Sequence, residues 1–134
     1  MKRRDFIKVS SLALTAMAIP KAALATYTNC YPLGVVYTKE APGKWAKKVG
    51  THAPRVKVEG KKVTIETVHP MTKAHFIVRH TLVTETGEVL GAKTFTPQDK
   101  RARSTYEIPA DTSKKLFATS FCNLHDFWVT PFNI

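Results

Sequence analysis

Cysteine is scarce in this chain of 134 residues, with Cys30 and Cys122 the only two. A structural zinc site of the usual kind, four ligands drawn from close cysteine pairs, therefore has too little to work with. Acidic residues are also few: ten Asp and Glu face 21 Lys and Arg, for a formal charge of +11. Nucleic acid is the first partner such a balance suggests, yet no nucleic-acid-binding motif accompanies it, and none is expected as a partner. The one apolar run, Val9 to Ile19, is too short to span a bilayer comfortably. There are no internal repeats, no low-complexity tract and no sign of a second domain. Beyond the first 25 residues no segment keeps a 3.6-residue apolar period, apart from a short turn around Lys44 to Val49.

The N-terminus reads as a leader. Lys2, Arg3 and Arg4 precede the apolar run, Arg3, Arg4, Phe6 and Lys8 follow the R-R-x-F-x-K spacing of twin-arginine signals, and Ala23-Leu24-Ala25 offers a small-x-small cleavage site. The expected organisation is a signal over residues 1–25 and one domain over 26–134, exported to the periplasm or its equivalent. Removing the leader takes away four net positive charges and leaves the domain near +7. A field of that sign over a small domain draws in small anions and acidic proteins.

What remains is patterned as β structure. Arg55 to Val58 and Val63 to Glu66 alternate apolar and polar residues around Glu59-Gly60-Lys61-Lys62, a hairpin signal. Phe76 to Thr84 and Val89 to Thr96 are rich in β-branched residues and flank the turn Glu85 to Glu88. Ser104 to Ile108, Leu116 to Phe121 and Phe127 to Val129 complete the set. About seven short strands at this spacing predict an all-β fold, a single immunoglobulin-like antiparallel β-sandwich. Thr26 to Gly43 is expected to be an irregular arm.

The residues with chemistry in them are few. Cys122-Asn123-Leu124-His125 places a potential thiolate and an imidazole on either side of a tight turn. His69 and His75 bracket a short loop, and His52 precedes Ala53-Pro54. Pro70 fixes its own backbone and biases His69 toward an extended conformation. Four imidazoles and one thiolate suit iron, copper, zinc or nickel, and the sulfur argues against magnesium, calcium or manganese. A Cys30–Cys122 disulfide is a competing use of the cysteines in an exported chain and would leave no thiolate for a metal. Cys30 is instead read as free or peripheral.

His69-Pro70-Met71, His75-Phe76-Ile77, Lys93-Thr94-Phe95, Tyr106 and Cys122-Asn123-Leu124-His125 together resemble the superoxide reductase family, which includes neelaredoxin and the iron domain of desulfoferrodoxin. The resemblance runs from about Lys48 to Trp128. It implies a β-sandwich holding one mononuclear non-haem iron through four histidine nitrogens and an axial cysteine sulfur, carried here by His52, His69, His75, His125 and Cys122. His80 has no counterpart in the pattern and is read as a packed or surface residue. The implied reaction is one-electron reduction of superoxide to hydrogen peroxide, with iron re-reduced by a separate donor protein. A rubredoxin-like protein serves many relatives; an exported chain points to an exported donor such as a c-type cytochrome. A homo-oligomer is compatible with all of this.

One departure falls beside the site. Family members commonly carry Glu-Lys before the first histidine ligand, whereas this chain has Gly50-Thr51. Lys48, four residues before His52, and Lys73, between two ligands, are the candidates to supply the missing ammonium, and Lys48 is taken as the catalytic candidate. The alternative function is an exported, cupredoxin-like copper electron-transfer protein. Such proteins usually add a methionine beyond the downstream histidine, and no methionine follows Met71 here.

Overall fold

Eight strands account for about half of the chain described by the computed structural model, which covers residues 34–134. The leader, Cys30 and residues 26–33 of the expected arm lie outside the described residues. In chain order the strands are β1 (Val36–Tyr37), β2 (Arg55–Glu59), β3 (Lys62–Thr67), β4 (Ile77–Thr84), β5 (Val89–Thr94), β6 (Ala102–Glu107), β7 (Lys115–Cys122) and β8 (Asp126–Asn133). Between β1 and β2 lie a 3₁₀ segment, Gly43–Lys48, and one α-helical turn, α1 (Val49–His52). No helix among the described residues is long and apolar enough to cross a membrane.

The strands form two sheets, one in the order β1-β8-β7-β4-β5 and one in the order β2-β3-β6. The alternation read around Gly60 gives a β2–β3 hairpin in register from Arg55↔Glu66 to Glu59↔Lys62, with Gly60 at φ +59° in the turn. The sandwich is therefore the expected one, with one difference. It is not antiparallel throughout: β1 runs parallel to β8, pairing Val36 with Phe127 and Tyr37 with Trp128. A two-residue strand has no length in which to show a period, so it falls in what reads as an arm.

The interior is divided in two. Val63, Ile65, Leu82, Ile108, Leu116 and Ala118 make one buried apolar cluster, and Ile77, Phe95, Ala102 and Cys122 make another, against which Met71 packs. A buried polar seam crosses from one sheet to the other. His80 is fully buried; its Nε2 lies 2.9 Å from the Thr67 hydroxyl, which donates to Ser120 Oγ at 2.8 Å, and its Nδ1 lies 3.0 Å from Ser104 Oγ. With Thr67 donating onward, His80 Nε2–H is the donor to Thr67 and Nδ1 the acceptor from Ser104, so a neutral imidazole satisfies every bond. A protonated ring would carry its charge into a site closed to water. Burial accordingly pushes its pKa down to about 3.

Gly91 of β5 lies against the Tyr106 ring of β6 in the opposite sheet. A Cβ added there would stand 2.2 Å from the Tyr106 ring, so only the bare backbone admits that side chain.

Candidate metal centre

Five donors converge at one end of the sandwich, delivered by three pieces of chain. His52 closes α1 and is buried, with the helical turn ended by the Ala53 amide on the Val49 carbonyl at 3.1 Å. His69 and His75 lie on the β3–β4 connection. There the Thr72 amide donates to the His75 carbonyl and the His75 amide returns the bond at 3.0 and 3.1 Å. This tight loop swings His75 back over His69. Cys122 ends β7, paired with Ile77 of β4, and His125 sits in the turn that leads to β8.

One ligand atom from each of the five lies within 4.8 Å of all the others. Around the cluster His52 Nε2 is 3.0 Å from His125 Nδ1, which is 2.8 Å from His75 Nε2, which is 3.0 Å from His69 Nε2. The Cys122 sulfur lies 3.3, 3.6 and 3.9 Å from His75 Nε2, His125 Nδ1 and His69 Nε2. Two nitrogens at right angles on a metal, each about 2.1 Å from it, stand roughly 3 Å apart. The spacing of the donors is thus that of neighbouring ligands on a single transition ion.

The far side of the imidazoles supports the same reading. His69 Nδ1 donates to the Pro70 carbonyl at 2.6 Å, and His52 Nδ1 faces the Thr51 hydroxyl at 2.8 Å and the Lys48 carbonyl at 3.3 Å. A proton held on Nδ1 leaves the Nε2 lone pair of each ring turned into the cluster. Lone pairs packed this closely repel unless a cation sits among them. Burial first, then the neighbouring imidazoles, push His52 down to about 4; burial, chiefly, pushes His69 down to about 4; burial lowers His75 and His125 as well. The rings are thereby kept in the neutral, coordinating form. Burial raises the Cys122 thiol, so the protein by itself does not ionise it, and a bound cation is what would drive off that proton. Among the described residues Cys122 is a free thiol, and Cys30 lies outside them.

Asn123 joins two of the ligand loops. Its side-chain oxygen accepts the Phe76 amide at 3.0 Å, and its side-chain nitrogen donates to the Ala74 carbonyl at 2.9 Å. Trp128 Nε1 donates to the His125 carbonyl at 2.9 Å and fixes the turn from the other side. Thr51, which in sequence is only a departure from a pattern, holds His52 in place. Lys48 is half-buried, and its ammonium acts electrostatically on His69, His75, His125 and Cys122. Lys73 is exposed in the loop between His69 and His75. Met71 packs into the second core cluster and is not among the five donors.

Fold and donor set together define a β-sandwich metalloprotein with a mixed imidazole and thiolate centre. The profile of the desulfoferrodoxin family matches residues 44–131, and the chain belongs to that family. Among solved structures it is similar to the superoxide reductase (neelaredoxin) from Ignicoccus hospitalis, at 28% identity over 74% of this chain and 93% of that one, with a TM-score of 0.62. It is similar also to the one-iron superoxide reductase from Giardia intestinalis, at 26% identity over 63% of this chain and 98% of that one, TM-score 0.58. The superoxide reductase from Treponema pallidum shares 29% identity over 60% of this chain and 66% of its own, TM-score 0.50. None of the curated proteins matches.

Proposed function

We propose that the chain is a superoxide reductase, which joins superoxide, one electron and two protons to make hydrogen peroxide. The convergence of His52, His69, His75, His125 and Cys122 on one point, in a chain of this family, is the observation that carries the proposal. Those five residues would hold a single non-haem iron. Iron bound there supplies a one-electron reductant with a thiolate ligand that pushes electron density toward bound substrate.

The protein's own residues prepare the site for a small anion. Lys48, whose charge is felt at His69 and His125, raises the local concentration of superoxide at the donors, a task the family gives to a lysine next to the first histidine. Thr51 occupies that family position and serves to orient His52 instead. The Pro70 and Lys48 carbonyls hold His69 and His52 with their lone pairs inward, so the ligand set is assembled before the metal arrives.

The electron comes from a separate protein. The twin-arginine pattern of Arg3, Arg4, Phe6 and Lys8 supports export of the folded chain, and with it a donor in the same compartment, a c-type cytochrome or a rubredoxin-like protein. The excess of basic residues suits an acidic donor surface.

The test is metal content followed by anaerobic mixing of the reduced protein with superoxide. One iron per chain and oxidation of the protein in step with peroxide formation are expected. An intense blue copper–thiolate band in protein from its native host would sink the assignment. Cys122→Ser should abolish the sulfur-to-iron charge-transfer band and superoxide reduction together; retention of both would refute the role of the sulfur.

A further inference from the structure

Asp126 is the one non-glycine residue among those described with a positive φ, +65°. It follows His125 directly, at the point where the chain has turned back from Cys122, its partner across the β7–β8 ladder. Glycine takes this left-handed conformation freely, whereas a side chain costs energy there, less for Asp and Asn than for others. What the side chain adds at this position is a carboxylate with a specific target.

Oδ2 of Asp126 accepts the indole Nε1–H of Trp45 at 2.8 Å, a bond between residues 81 apart in the chain, and lies 3.3 Å from Lys44 Nζ. The ion pair is exposed and contributes little, whereas the indole bond is short and charge-assisted. The Trp45 ring stands edge-on to the His125 imidazole, with centroids 4.7 Å apart and planes at 86°. Lys44 also lies over the indole, 4.8 Å from its centroid. Trp45 is itself the kink in the Gly43–Lys48 segment, at φ −99° and ψ 22°. That segment ends at Lys48, whose carbonyl faces His52 Nδ1.

We propose that Asp126 is a positioning residue that acts through Trp45. Its carboxylate holds the indole against His125, fixes the rotation of that imidazole, and keeps the lysine-bearing segment in place beside the donor cluster. The effect on chemistry rests on the reading of His125 as an iron ligand; the clamp itself does not.

The experiment compares Asp126→Gly, Asp126→Asn and Trp45→Phe in the full chain. Glycine deletes the carboxylate while easing the backbone, so folding is not at risk from this change. Asparagine keeps an oxygen acceptor for the indole without the charge, and phenylalanine keeps a ring without the N–H. In metal-free protein, acrylamide quenching reads Trp45 directly, because Trp128 is fully buried and contributes a protected background. Quenching should rise severalfold in Asp126→Gly and return most of the way to wild type in Asp126→Asn. In iron-loaded protein, Asp126→Gly and Trp45→Phe should both shift the charge-transfer band and the electron paramagnetic resonance signal, with Asp126→Asn close to wild type. Unchanged quenching in Asp126→Gly overturns the clamp. Raised quenching with unmoved spectra overturns its action on His125. A wild-type protein that binds no iron would instead refute the ligand assignment, and the quenching result would still decide whether the clamp exists.

Discussion

Asn123 grips Phe76 from both directions: its side-chain oxygen accepts the Phe76 amide at 3.0 Å, and its own backbone amide donates to the Phe76 carbonyl at 3.2 Å. Residues 76 and 123 are the immediate neighbours of His75 and Cys122. The side chain of one asparagine thus fixes the distance between an imidazole on the β3–β4 connection and a sulfur at the end of β7. Asn123→Ala should leave the β-sandwich folded and weaken metal retention about tenfold to a hundredfold, the usual cost of losing a group that orients ligands. Competition for cobalt(II) or iron(II) against a chelator measures this, and unchanged affinity would show that the backbone bond alone suffices.

Lys48→Ala is expected to lower the second-order rate with superoxide roughly tenfold and to flatten its dependence on ionic strength, because a steering charge acts on encounter. The charge-transfer band should stay in place, since the Lys48 carbonyl that faces His52 is backbone and survives the substitution. Lys48→Arg should recover much of the rate. Stopped-flow measurement over a salt series is the check. A companion variant, Thr51→Lys, adds an ammonium at the family's position and removes the hydroxyl from His52 Nδ1. It should speed the encounter while shifting the band.

His80 makes the fold sensitive to acid. Its folded pKa of about 3 lies below the value near 6.5 in an unfolded chain. Between those values the unfolded chain binds a proton that the folded one refuses. Stability from this group is therefore complete above pH 6.5 and is lost as pH falls toward 3, by roughly 3 kcal/mol at pH 4. Denaturant unfolding of metal-free protein from pH 7 to 4 should show it. In His80→Gln the slope should be shallower than wild type by about 1.4 kcal/mol per pH unit across that window.

Gly91→Ala should destabilise the protein by about 1–3 kcal/mol, the ordinary cost of forcing extra volume into a packed contact. The added carbon would meet two atoms of the Tyr106 ring, at 2.2 and 2.7 Å, and the ring cannot bend away as a flexible chain could. Thermal unfolding reports this. Gly91→Ala combined with Tyr106→Leu should recover most of the loss if that contact is the whole cause.

Local pattern carried a large part of this structure, and its failures have a common cause. The alternation of Arg55 to Glu66 and the β-branched run through Val83 are visible because a strand repeats every two residues along its own length. The C-N-x-H cluster and the spaced histidines are visible because few residue types can bind a soft metal. Parallel β1 is invisible, being two residues long and defined only by its partner β8. His80 could be read as packed or exposed, and its seam with Thr67, Ser104 and Ser120 exists only once three other strands surround it. The bond between Trp45 and Asp126 joins positions 81 apart and leaves no trace in either neighbourhood. Thr51 shows the same limit from the other side, since a departure from a motif does not reveal what the replacing hydroxyl will touch.

The donor atoms come from parts of the chain as far apart as His52 and His125, 73 residues from one another. An unfolded chain would have to close loops of that size to collect them, so it has no site of this kind to offer an ion. Metal and native topology then share one equilibrium: any ion held by all five groups stabilises the fold by an amount that grows with the logarithm of its free concentration over its dissociation constant. A chelator acts on such a protein as a mild denaturant. Loss of the ion should first be felt as faster cleavage by a protease, before any change in the sheets is visible.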